Sequence, residues 1–198
     1  MKTTATYYNL CFADAKTYLF ASLFVAGNII LPQLAHFVPN GGPMLLPIYF
    51  FTLIAAYKFG IRTGMLTAIL SPVINSLLFG MPMLAMLPII LIKSSLLAIA
   101  ASSLRGSTLL SKLNVPSLRG AQRRSNPLIV RTPLFIKLLI IVLSYQLVGT
   151  LIEWAFVKDF FIAVQDFRIG LPGMALQVVG GWMILKSPDA RRRTGNSE

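Results

Sequence analysis

Cysteine, histidine and acidic residues are all scarce in this chain of 198 residues, which has one Cys, one His and six Asp and Glu. A single cysteine excludes an internal disulfide and any metal site built from several cysteines. The sequence also lacks the glycine-rich phosphate loop of ATPases, the His-Glu-x-x-His motif of metalloproteases and the Gly-x-Ser-x-Gly motif of hydrolases. Few groups remain for acid–base catalysis, so we expect no cofactor, no metal and no catalytic activity in the chain itself.

Charge of either sign is also scarce. Charged residues make up 12% of the sequence, against roughly 25% in a soluble domain, while 56% of the residues are hydrophobic and the mean hydropathy is +0.73. Residues 17–34 and 65–92 carry no charge at all. Because a helix needs about 20 apolar residues to cross about 30 Å of hydrocarbon, the sequence predicts an all-α membrane protein.

Apolar runs, helix breakers and flanking charges predict six transmembrane helices in a single domain. A turn-forming stretch at residues 37–43 separates the first two, and proline and glycine at residues 80–82 separate the third and fourth. The predicted spans are residues 17–36, 44–57, 61–79, 83–104, 133–156 and 169–185.

The net charge of +12 comes from 18 Lys and Arg residues. With six spans, all of them except Lys93, Lys158 and Arg168 fall on one side of the membrane. The positive-inside rule makes that side the cytoplasm. We therefore expect both termini to be cytoplasmic, residues 105–131 to form a basic cytoplasmic loop and residues 187–198 a basic tail. The positive charge then reflects topology, and no nucleic acid partner is expected.

Polar side chains within the spans are the candidates for function, because a charge near the bilayer centre costs about 2.5–3.5 kcal/mol on insertion scales. Lys93 lies about ten residues into the fourth span, which predicts a depth of about 15 Å. Gln146 and Glu153 are seven residues apart and share one face of the fifth span. These positions predict a polar pocket that is open to the outside. The candidate substrate-binding residues are Gln33, His36, Asn75, Lys93, Gln146, Glu153, Asp166 and Arg168.

Each of these candidates has a structural alternative. Lys93 and Glu153 could form a buried ion pair that serves only the fold. His36 could be a solvated or helix-capping side chain near the interface. Asn75 could join helices by hydrogen bonds, which in membranes contribute about 0.6 kcal/mol on average.

Small residues form a patch on the first span, at Ser22, Ala26 and Gly27. Small side chains let two helices approach closely. The patch could therefore dock a partner protein, or it could serve packing within the chain. The stripe of Ser94, Ala98 and Ser102 on the fourth span is assigned to internal packing.

Three sequence runs, at residues 31–34 with 47–50, at 71–82 and at 165–173, resemble those of a known family. Together with the size, the six spans and the basic cytoplasmic loops, they resemble the substrate-binding S component of an energy-coupling factor (ECF) vitamin transporter. The resemblance implies a subunit of the inner membrane that captures a small-molecule substrate. It further implies two kinds of partner, a transmembrane coupling subunit and a pair of cytoplasmic ATPases.

The resemblance also implies a docking face of the form Ala-x-x-x-Ala on the first helix, for which Ser22 and Ala26 are the nearest match. A small membrane enzyme that acts on lipid through Lys93, Glu153 and Asp166 is one alternative, although the predicted cytoplasmic side offers only bases. A non-catalytic scaffold that binds anionic lipid through residues 105–131 is another.

Overall fold

The computed structural model describes Tyr8, residues 10–35, Phe37 and residues 47–105 and 134–186. Within these residues every regular element is helical, which confirms the all-α prediction. His36, the predicted loop beyond Arg105 and the predicted tail at 187–198 lie outside the described residues. The helices are α1 (Ala15–Ala35), a short 3-10 helix (Pro47–Tyr49), α2 (Phe50–Phe59), α3 (Ile61–Phe79), α4 (Leu87–Leu104), α5 (Leu134–Val157), α6 (Phe160–Ile169) and α7 (Leu171–Lys186).

Four of the described helices, α1, α3, α4 and α5, are long and apolar enough to cross a membrane. The sequence predicted α3 to the residue, whereas α4 begins four residues later than expected. α2 has ten residues and is therefore about 15 Å long. α6 occupies a stretch where no helix was predicted. Six spans and cytoplasmic termini stay predictions.

α2 and α3 fold back on one another through a one-residue turn. Gly60 has φ of +103°, a conformation that glycine adopts without strain because it has no Cβ. One helical turn further on, a Cβ built on Gly64 would lie 2.5 Å from Cβ of Ala56. The two helices can therefore approach closely only because residue 64 is glycine.

The core is centred on α2, which packs against α1, α3, α4 and α7. Leu53, Ala55 and Ala56 are fully buried there. Large apolar side chains also cover the outside of the long helices, such as Leu23, Leu77 and Leu151, each more than half exposed. An apolar surface of this extent suits a protein surrounded by lipid.

Asn28 on α1 connects three helices at a fully buried position. Its amide nitrogen donates to Oγ1 of Thr52 at 3.0 Å and to Oγ of Ser71 at 3.1 Å. Its amide oxygen accepts the backbone N–H of Phe51 at 3.2 Å. Every hydrogen-bonding atom of this amide therefore has a partner within the protein, and Asn28 links helices in the way given above as the structural alternative for Asn75.

One end of the bundle gathers basic residues around the N-terminal segment. The backbone carbonyl of Tyr8 accepts a hydrogen bond from the guanidinium of Arg105 at 2.7 Å. The backbone N–H of Tyr8 donates to the carbonyl of Lys58 at 3.0 Å. Arg62 donates to the carbonyl of Leu10 at 3.2 Å. The start of the chain, the α2–α3 turn and the end of α4 thus lie together; we call this the basic end.

Candidate functional site

Lys93 on α4 and Glu153 on α5 form an ion pair with Nζ and Oε2 2.6 Å apart. Their side chains are only 4% and 9% exposed. Lys93 lies twelve residues before Arg105, hence about 18 Å from the basic end. It also lies six residues after the start of α4 at Leu87, about 9 Å from that end of the helix. The predicted depth of about 15 Å below the outer surface of the membrane stays a prediction.

Gly149 provides the space that the Lys93 side chain occupies. A Cβ built on Gly149 would lie 2.7 Å from Cγ of Lys93 and 3.2 Å from its Cε. The lysine stem therefore crosses α5 at Gly149, and its ammonium ends at Glu153 one turn further along. Gly149 was not among the predicted site residues. Its signal in the sequence is a glycine four residues before a carboxylate in an otherwise apolar helix.

Several buried polar atoms on the two helices that carry this pair, and two on α3, have no hydrogen-bond partner. Gln146 lies one turn below Gly149 on the same face of α5, is fully buried, and has neither amide atom bonded. This is uncommon, because most buried polar side-chain atoms in proteins have a partner. Among the residues that the structure describes, the unpartnered buried atoms are Oδ1 of Asn75, Oγ of Ser94, Oγ1 of Thr150, Oε1 and Nε2 of Gln146, and Oγ1 of Thr63 near the basic end.

A second polar contact joins α5 to α7 beside this group. The hydroxyl of Tyr145 donates to Oε1 of Gln177 at 3.1 Å, and both residues are buried. The ring of Tyr49 lies 5.6 Å from that of Tyr145. Neither Tyr145 nor Gln177 was among the predicted site residues, although a glutamine within an apolar span was a usable signal.

The remaining predicted site residues lie elsewhere or cannot be placed. Gln33 is half-buried in the last turn of α1. Arg168 is exposed on α6, where it lines a surface groove of about 560 Å³ with Phe161 and Gln165. Asp166 lies on α6, but its side chain, like all of His36, is outside the described residues.

The three predicted docking residues do not share one environment. Ser22 and Ala26 are exposed on α1, and the hydroxyl of Ser22 donates to the carbonyl of Leu19. Gly27 instead faces α2, where an added Cβ would lie 2.8 Å from Cε2 of Phe51. Gly27 therefore permits packing within the chain, whereas Ser22 and Ala26 lie on its outer surface.

The polar groups on α4 and α5 can bind a polar solute. Among the residues the structure describes, no group of three or more His, Cys, Asp or Glu side chains could hold a metal ion. A neutralised ion pair beside unbonded amide and hydroxyl groups offers hydrogen bonds to a polar solute in a dry setting, where such bonds are strong.

Comparison with protein-family models, with curated proteins and with solved structures gave no significant match. The geometry of the described residues therefore has to support any functional assignment.

Proposed function

We propose that this chain is the substrate-capturing membrane subunit of an ATP-driven ECF-type importer for a vitamin or similar micronutrient. The main support is Gln146, a fully buried side chain with both amide atoms unbonded. Leaving a buried polar group unbonded costs about 1–3 kcal/mol of stability. A sequence that keeps such a group gains something other than stability, and binding a polar ligand is the direct explanation.

The position of the unbonded groups also supports capture from outside. Asn75, Ser94 and Thr150 lie past the middle of their helices, on the side away from the basic end. Gln146 lies at the middle of α5, twelve residues after Leu134 and eleven before Val157. Since positive charge favours the cytoplasmic side, the proposed pocket extends from the middle of the bundle into the outer half.

Transport against a gradient requires an energy source, which the proposal assigns to partner subunits. The sequence has no phosphate-binding loop, so a coupling subunit with two ATPases would supply it. The exposed small residues Ser22 and Ala26 are the proposed contact with that coupling subunit, because small side chains permit close helix approach.

Copurification tests the proposal most directly. Expressed with its genomic neighbours, the tagged protein should bring down a membrane subunit and a pair of ATPases, together with one small molecule identified by mass spectrometry. Purification of a stable protein with neither would reject it, and accumulation of a modified lipid would favour the enzyme alternative.

The docking face is tested by Ala26→Trp, with Leu77→Trp on α3 as the matched control because Leu77 is 75% exposed. We expect the first variant to abolish ATP-dependent uptake while the isolated protein still binds substrate. The control should transport normally. Normal uptake by Ala26→Trp would move the docking face elsewhere.

The proposed orientation is tested with reporter fusions after Gly41, Gln122, Asp159 and Glu198. The first and third reporters should be outside the cell, and the second and fourth inside. A cytoplasmic reporter after Gly41 contradicts the six-span topology.

A further inference from the structure

The charge balance at the site restricts what can bind there. Lys93 and Glu153 are buried and 2.6 Å apart, so the positive charge of the ammonium is already matched. A neutral ligand keeps the buried site neutral. An anionic ligand would leave one unmatched negative charge in a medium of low dielectric constant, which is strongly unfavourable.

The unbonded amide of Gln146 specifies the ligand further. A primary amide presents a C=O acceptor and an N–H donor side by side in one plane. The complementary partner is a planar edge that has an N–H donor beside a C=O acceptor, which makes two hydrogen bonds at once. Thr150, one helical turn after Gln146 on α5, also has an unbonded hydroxyl, which would serve a further polar atom of such a ligand.

Two other buried side-chain amides in the same bundle form hydrogen bonds between helices. Asn28 uses its donor and its acceptor to join three helices. The carbonyl of Gln177 accepts the hydroxyl of Tyr145. Gln146, equally buried, has no partner at either atom, so helix-to-helix bonding does not account for it.

We infer that the substrate is a neutral ring compound with an N–H beside a C=O, such as a cyclic amide, cyclic ureide or pyrimidinone, and that Gln146 recognises this edge. The inference rests on the proposed function, since it assigns the substrate class of the same site. Lys93 and Glu153 then line the site as a pair with no net charge. Gly149 fixes where the lysine side chain crosses α5.

The test uses three neutral probes, uracil, pyridone and imidazolidinone, each beside its ring carboxylate and its fully N-methylated form, in which no N–H remains beside a C=O. Binding to the full-length protein in detergent is measured by equilibrium dialysis. At least one parent compound should bind, with the N-methylated and carboxylate forms weaker by at least about tenfold, because a buried group built for hydrogen bonding rejects an analogue that lacks the partner atom. Tighter binding of a carboxylate form, or no binding of any parent compound, overturns the inference.

The variant Gln146→Leu separates a ligand role from a structural one. Leucine removes the two unbonded atoms, so the ligand-free protein should melt at the same temperature or higher, while binding of the probe is lost. The control Ser144→Ala removes a hydroxyl that bonds only within α5, to the carbonyl of Ile141, and should leave probe binding unchanged. A lower melting temperature with unchanged affinity would assign Gln146 to the fold, for example through a bound water.

Failure of this inference can be told from failure of the proposed function. If no probe binds but the protein still copurifies with a coupling subunit and an ATPase pair, only the substrate class is wrong. If it copurifies with neither and binds no probe, both are wrong.

Discussion

Replacing Gly149 by alanine should weaken the Lys93–Glu153 pair without changing any charge. The new Cβ would lie 2.7 Å from Cγ of Lys93, 3.2 Å from Cε and 3.3 Å from Cδ. The lysine stem has to move outward by about 1 Å to restore van der Waals contact near 3.5–4.0 Å. Its far end cannot follow freely, because Nζ is held 2.6 Å from Oε2 of Glu153.

The change in stability has two contributions, the helix propensity of alanine and the steric contact of its Cβ with Lys93. A second glycine-to-alanine substitution separates them. Alanine gains about 1 kcal/mol of helix propensity over glycine, and Gly181→Ala gains the same. A Cβ on Gly181 meets Leu53 and Leu138 at 3.5 and 3.7 Å, which are ordinary contacts. The difference between the variants therefore isolates the contact with Lys93. Overpacking predicts about 1–3 kcal/mol, rising toward about 3–5 kcal/mol if the buried pair separates.

The assay is the free energy of unfolding in mixed detergent micelles, followed by circular dichroism for both variants and the parent protein. Gly149→Ala should be the least stable of the three, and Gly181→Ala at least as stable as the parent. Equal stability of the two variants would refute the packing of Lys93 across Gly149.

Three further substitutions test other contacts. Lys93→Met should cost about 3–5 kcal/mol, because it leaves a buried carboxylate unpaired, and adding Glu153→Leu should recover most of it; a harmless single variant would contradict a buried pair. Asn28→Leu should cost about 2 kcal/mol, from three interhelical hydrogen bonds at about 0.6 kcal/mol each, measured by unfolding in detergent; an unchanged midpoint would show that these bonds do not hold α1. Gly64→Ala should cost about 1–3 kcal/mol, since its Cβ would meet Ala56 at 2.5 Å where neither backbone can move away; a variant as stable as the parent would mean that α2 and α3 pack less closely.

Helix ends could be predicted where a residue that breaks helices stands next to them in the sequence. α3 was predicted to the residue because Gly60 and Gly80, both with positive φ, stand immediately before and after it. α6 was missed because the spans were predicted from long apolar runs, and the sequence of α6 mixes polar and apolar residues. Its start had a signal nevertheless: Asp159 accepts the N–H of Phe161 at 2.9 Å, a typical N-terminal cap.

Some residues of the candidate site could be named from the sequence for a different reason. The cost of burying polar groups in a membrane pointed to Lys93, Glu153 and Gln146 without knowledge of the fold. Their arrangement could not be derived, because the α4–α5 contact depends on how Gly149 admits the lysine stem. Periodicity places residues on a face of their own helix, but it does not say which helix they meet.

The hydrogen bond between Tyr8 and Arg105 has a consequence for the order in which the protein is built. The two residues are 97 positions apart in the chain. At a synthesis rate of about 5–20 residues per second, their ribosomal appearance is separated by about 5–20 s. Tyr8 therefore leaves the ribosome before Arg105, and the hydrogen bond between them can form only after α4 has been made. The contact that joins Tyr8 to the end of α4 is therefore completed only after α1, α2 and α3 have all been made.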